Sequence, residues 1–142
     1  MATRYQYAKD YLSQAIYIDQ RINSKMIQLQ SSREMTTRVT AQISGMPRSP
    51  NPLDLADFLA KAIDLENEIA ADLEQLLATK AEITEIIKRV EGYENRTLLE
   101  LRYLSFKKWD LIAIELYVNP RWVHRLHNRA LEEVDAILRQ RQ

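Results

Sequence analysis

Cysteine is absent from the 142 residues, and glycine occurs only as Gly45 and Gly92. Without cysteine there is no disulfide, no thiolate nucleophile and no cysteine-based zinc site, which fits a reducing, cytoplasmic setting. Two glycines do not suffice for a phosphate cradle, a dinucleotide fingerprint or a sheet of tight glycine turns, so most P-loop and Rossmann chemistry is excluded. The opening MATRYQYAKDYL has no apolar signal core, and nowhere do about 18 apolar residues run together. Neither export nor membrane spanning is expected.

Net charge is also missing, 20 Lys+Arg standing against 20 Asp+Glu, but the balance hides a strong asymmetry. Residues 1–50 carry seven basic and three acidic side chains, residues 51–94 four and eleven, and residues 95–142 nine and six. The chain is basic, acidic and basic in turn.

What the chain does have is helical periodicity. Ala8, Ala15, Ile22, Leu29, Thr36 and Ile43 recur every seven residues, with Tyr11, Ile18 and Val39 in the intermediate row, which predicts a heptad stripe on a first long helix. Lys25, Ser32 and Thr36 weaken that stripe, so the second half of the helix is expected to pack less tightly. Ser44-Gly45 followed by Pro47, Pro50 and Pro52 ends it in a loop. A second helix starts near Asn51, which suits a cap, with Pro52 at its first position and Asp54 and Asp57 at its positive dipole end. Its ladder is unbroken: Leu55, Ala62, Ile69, Leu76, Ile83 and Val90, flanked by Phe58, Leu65, Leu73 and Ile86. A short proline-rich connection makes these two helices antiparallel neighbours, the basic one against the acidic one. These apolar residues read as coiled-coil core. A two-helix hairpin leaves much apolar surface wet, so self-association is expected.

Gly92 ends the second helix. Three shorter helices follow, from Arg96 to about Leu104, from Lys107 to Leu116 and from Pro120 to about Arg139. Asn119-Pro120 repeats the pattern of an Asn cap with Pro at the first helical position. Inward-facing residues are Leu98, Leu101 and Tyr103 or Leu104 on the first, Trp109, Ile112, Ala113 and Leu116 on the second, and Val123, Leu126, Ala130, Val134 and Ile137 or Leu138 on the third. The fold class is therefore all-α, a long antiparallel coiled-coil hairpin (1–92) for oligomerisation followed by a three-helix helix-turn-helix module (93–142).

The last two helices have the proportions of a DNA-reading helix-turn-helix. Ala113 supplies the small residue where such helices cross, and Val123, ten residues on, plugs the second helix into the core. Tyr117 stands where glycine is usual in the turn. The outward face of the last helix is then Arg121, Trp122, His124, Arg125, Asn128 and Arg129. Arg presents a donor fork that matches guanine, Asn pairs with adenine, and every Arg can neutralise phosphate. Base reading is assigned to Arg121, Trp122, His124, Arg125 and Asn128. Phosphate binding falls to Arg96, Arg102, Lys107, Lys108 and Arg129. Gain of charge on His124 and His127 is expected to tighten DNA binding below about pH 6.5.

Residues 96–138, RTLLELRYLSFKKWDLIAIELYVNPRWVHRLHNRALEEVDAIL, resemble region 4 of bacterial sigma factors. The matching features are Leu99, Arg102 and Tyr103, the Ile112-Ala113 pair, Val123 with Leu126, and Arg129-Ala130-Leu131. The resemblance implies promoter-element recognition through positions that fall on Pro120, Arg121, Trp122, His124 and Arg125. Pro120 and Trp122 depart from the polar residues usual there, so the family's target sequence is not carried over. Nothing in residues 1–95 looks like a core-binding, promoter-melting region, and the whole layout looks instead like small phage and prophage regulators.

Other chemistry finds less support. His124 and His127 stand three apart, but without cysteine and among basic residues no metal site is expected. Glu132, Glu133 and Asp135 point in different directions from a helix and read as a solvated exit from the basic face, and no nucleophile elbow accompanies the Ser, His and Asp present. No catalytic residue and no cofactor is assigned, and the chain is not expected to be an enzyme. The expected partner is double-stranded DNA, bound by a homo-oligomer formed through the hairpin. The alternatives are a small terminase-type packaging subunit, which would form a ring, and an adaptor that contacts RNA polymerase.

Overall fold

The computed structural model describes residues 5–45 and 52–141, and of their side chains those of 5–41 and 55–141. All the regular structure among them is helical: α1 (Gln6–Leu12), α2 (Gln14–Gly45), α3 (Pro52–Lys88), α4 (Tyr93–Leu99), which runs on as a π-helical turn (Glu100–Leu104), α5 (Trp109–Leu116) and α6 (Pro120–Gln140). The all-α architecture with a pair of long helices is as the periodicity implies. The proposed loop with Pro47 and Pro50, the Asn51 cap and the side chains of Ile43 and Asp54 lie outside the described residues.

The first long helix is interrupted at Ser13, although hydrogen bonding continues from Ser13 N to Lys9 O (2.9 Å) and from Tyr17 N to Ser13 O (3.2 Å). The Ser13 hydroxyl also donates to Lys9 O at 2.7 Å. Such back-bonding to the preceding turn competes with the backbone ladder and bends helices. α3 ends at Lys88, short of Gly92, and α4 begins at Tyr93, three residues before the expected start. Gly92 sits at φ 90°, a conformation that disfavours any side chain, and so permits the reversal between them.

The residues fall into two compact units, 1–17 with 76–142, and 18–75. In the first unit α6 packs against α1, α4 and α5. Val123, Leu126, Ala130, Val134 and Leu138 are buried along it, as expected, and so are Leu131, His127 and Asp135. Leu98, Leu99, Tyr103, Ile112 and Ala113 complete this core, while Trp109 and Leu116 are only half-buried. The end of α3 is covered over a wider arc than one heptad seam, because Ile86 and Ile87 are buried alongside Ile83 and Val90. A hydrogen bond from Glu91 N to Glu133 Oε2 (2.8 Å) fastens the α3–α4 turn to α6. The α3–α4 turn thus belongs to the same packed unit as α6. Each burial of this kind stabilises by roughly 1.5–3 kcal/mol per large aliphatic side chain.

In the second unit Ile18, Ile22, Leu29 and Ile69 are buried in the seam between α2 and α3. Toward the far part of the seam Thr36, Val39, Leu55, Phe58 and Ala62 are only half-buried, in keeping with the expected looser packing. Lys25, read as a weak point, instead reaches Asp72 at 2.8 Å, and Arg21 meets the same carboxylate at 3.3 Å. Asp72 is held below the usual carboxylate range, chiefly by the Lys25 hydrogen bond, against a smaller opposing effect of burial and with further help from Arg21. The seam row is Phe58, Leu65 and Asp72, seven apart, so Leu73 is turned about 100° away and is exposed. This corrects the placing of Leu73 on the flank of the ladder. Arg33 and Glu66 form a further cross-helix pair at 2.8 Å.

Candidate nucleic-acid interface

Three residues, Tyr117 to Asn119, join α5 to α6. Tyr117 adopts the left-handed conformation (φ 58°, ψ 40°), the role glycine usually takes. Its N–H donates to Ile114 O (3.2 Å) and that of Val118 to Ala113 O (3.0 Å), the paired bonds of a Schellman helix end. Asn119 is extended and its side-chain oxygen accepts from Trp122 N at 2.8 Å, capping α6, with Pro120 at the first helical position. Local sequence thus stops one helix and starts the next within three residues.

The start of α6 presents Arg121, His124, Arg125, Asn128 and Arg129 to solvent, with Trp122 half-buried. Arg129 lies over the Trp122 ring, 5.3 Å from its centroid. None of Arg121, Arg125 and Arg129 has a carboxylate partner among the described residues. All six predicted base-facing and phosphate-facing residues of α6 therefore share one basic, accessible surface.

The other predicted phosphate-binding residues divide. Arg96 and Lys108 are exposed. Lys107 is paired with Glu115 of α5. Arg102 is half-buried, its guanidinium 4.5 Å from the Trp109 centroid and donating from Nη1 to Lys107 O at 3.0 Å. Arg102 and Lys107 are thus tied into the approach to α5, where they brace Trp109 and the turn preceding it.

His127 faces inward. Its Nε2 lies 2.6 Å from the Tyr103 hydroxyl, both residues are buried, and Trp109 packs edge-on against the imidazole at 4.5 Å. Burial above all, with Lys9, Arg102 and His124 adding to it, pushes His127 down to about 3. Burial likewise pushes the Tyr103 phenol up. The phenol therefore stays protonated and shares its hydrogen bond with a neutral imidazole. The expectation that His127 charges near pH 6.5 and joins His124 at the DNA is overturned: His124 is exposed, beside Trp109 at 5.7 Å, and His127 holds the core. A three-residue spacing puts two side chains on adjacent faces of a helix but does not say which one the neighbouring helix covers. Among the described residues no group of three or more His, Cys, Asp or Glu side chains could hold a metal ion.

The acidic residues that follow are likewise engaged. Glu133 accepts from Glu91 N, and Asp135, buried, pairs with Arg139 at 2.9 Å. Only Glu132 is left as a solvated exit from the basic face.

One surface was not foreseen from sequence. Leu111, Ile114 and Tyr117 are exposed on and just beyond α5, Ile114 at 69% and Tyr117 at 95%. Their spacing places Leu111 and Ile114 on the face of α5 opposite Ile112 and Ala113, a signal that the short helix carries apolar residues on both sides. No helix among the described residues is long and apolar enough to cross a membrane. Comparison with protein-family models, with curated proteins and with solved structures finds no match for this chain.

Proposed function

We propose that the chain is a sequence-specific, double-stranded DNA-binding transcriptional regulator of the kind encoded by phages and prophages, working in the cytoplasm as a dimer or higher oligomer joined through the hairpin. The observation that carries this reading is the accessible row of arginines without acidic partners at the start of α6, directly after a three-residue turn from α5. A helix so presented fits the major groove, where Arg121 and Arg125 match guanine acceptors and Asn128 matches adenine. Arg129, Arg96 and Lys108 supply charge for the phosphates. The likeness of residues 96–138 to sigma region 4 supports the same use of this module.

Selection of bound sequences from a random DNA pool, followed by binding measurements on the enriched site, tests it. A recurrent motif whose affinity falls on Arg121→Ala and Arg125→Ala is expected. Enrichment of no motif, or indifference to both substitutions, overturns the reading.

The apolar patch of Leu111, Ile114 and Tyr117 favours one second reading, an adaptor that contacts a protein such as RNA polymerase instead of DNA. That protein would retain polymerase in a pull-down, lose it on Ile114→Glu, and show no affinity for free DNA.

A further inference from the structure

We infer that one side of the helical hairpin, marked by Met26 and Arg33 on α2 and by Leu59, Ile63 and Leu73 on α3, is the seat of a second copy of this chain, laid face to face so that α2 of each copy covers α3 of the other. This rests on the reading of the hairpin as the oligomerising element and names the surface and arrangement it uses.

α3 carries two apolar rows. The inner one, with Leu55, Leu65 and Ile69, faces α2. The outer one comprises Leu59, Ile63, Ala70 and Leu73 with the charged Glu66 among them, at alternating steps of four and three, the repeat of a helix that packs along its length against another helix. Leu59 is 47%, Ile63 56% and Leu73 45% exposed, so nothing among the described residues covers this row. Arg33, Thr36 and Thr37 share an open groove with Leu59, Ala62, Ile63 and Glu66, so these parts of α2 and α3 line the same side of the hairpin. Met26, seven residues before Arg33 and 53% exposed, lies on that side as well.

Charge selects the occupant and its orientation. Between residues 18 and 41 α2 has four basic and two acidic side chains, and between 55 and 75 α3 has one basic and six acidic. A two-fold axis parallel to the helices sets the basic helix of each copy over the acidic helix of the other. An axis perpendicular to them sets acid on acid. The first arrangement is also matched in level. Lys25 reaches Asp72 and Arg33 reaches Glu66 within one chain, so Met26 is level with Leu73 and Arg33 with Glu66. Rotation about an axis parallel to the helices preserves level. Met26 then meets Leu73 of the second copy, and Arg33 stands between the Glu66 carboxylates of both.

The cysteine-free chain makes the test direct. Light scattering of the full chain should give the mass of two chains, and Ile63→Glu, at an exposed position, should give the mass of one with undiminished helical circular dichroism. Met26→Cys and Leu73→Cys, prepared separately, mixed, allowed to exchange and oxidised, should yield a disulfide-linked dimer, whereas neither alone should. A wild-type mass of one chain or of a ring, an Ile63→Glu protein that stays paired, a mixture that does not cross-link, or either cysteine variant cross-linking by itself overturns the inference. Neither measurement involves DNA. Failure of DNA recognition with these results intact leaves the interface standing, and a dimer that fails the cross-linking test leaves DNA recognition untouched.

Discussion

The Tyr103 hydroxyl and Nε2 of His127 share a hydrogen bond of 2.6 Å, from the π-helical turn after α4 to the inner face of α6. Both groups are buried and kept neutral. The bond joins the segment before α5 to α6 and holds the imidazole in place.

Acid should therefore loosen this unit. His127 is neutral when folded down to about pH 3, whereas in the unfolded chain it takes up a proton below about pH 6.5. The unfolded state thus binds more protons in that window, and stability is fully present above about pH 6.5 and lost as pH falls. The slope is about 1.4 kcal/mol per pH unit at most, so up to about 3.5 kcal/mol should be gone by pH 4. Urea unfolding at pH 7, 5 and 4 measures it. His127→Gln should flatten the dependence, and an equally steep loss in that variant would assign it elsewhere.

Tyr117→Gly should stabilise the turn. A left-handed non-glycine residue costs roughly 1–2 kcal/mol, and the extra freedom of glycine in the unfolded chain returns about 0.5–1 kcal/mol of that. With a side chain 95% exposed, Tyr117 gives up little packing. A gain of about 0.5–1 kcal/mol in denaturant unfolding is expected, and Tyr117→Val should go the other way.

Loss of the α6 cap should be visible in stability and in binding. Asn119→Ala removes the bond to Trp122 N and is expected to cost about 1 kcal/mol. Because the same first turn carries Arg121 and Arg125, DNA affinity should fall with it. Hydrogen exchange confined to residues 120–124 locates the effect.

Asp72 and Glu66 should behave differently. Asp72 is hemmed in by Lys25 and Arg21, whereas the Arg33–Glu66 pair is half-exposed on both sides. In the unpaired Ile63→Glu chain, Asp72→Asn is expected to lower the melting temperature clearly and Glu66→Gln scarcely, since exposed pairs contribute little. The Asp72 contribution is present above its ordinary carboxylate range and disappears as pH falls through its lowered value.

If DNA is the partner, four to six neutralised phosphates give a slope of log affinity on log salt of about −4 to −5. Arg121→Ala and Arg125→Ala should each cost about 1–3 kcal/mol on the enriched site, while Lys108→Ala should weaken all sequences alike. Arg102→Ala is expected to lower stability as well as affinity, because its guanidinium braces Trp109.

The sequence by itself determined the helices, their approximate ends and the basic start of α6. Seven-residue recurrence, an Asn-Pro cap and proline breaks are local properties, and backbone hydrogen bonding responds to them whatever lies nearby. It also showed that Ala113 and Val123 turn inward, because each sits on an apolar arc. Which side of an arc is covered is a different matter, decided only when another helix arrives. Placing α6 against α1, α4 and α5 buried His127 and left His124 in solvent. Pairing α2 with α3 drew Lys25 to Asp72 and turned Leu73 outward. A polar residue on an apolar stripe reads as a defect in one dimension, and becomes a bond once the helix opposite supplies its partner.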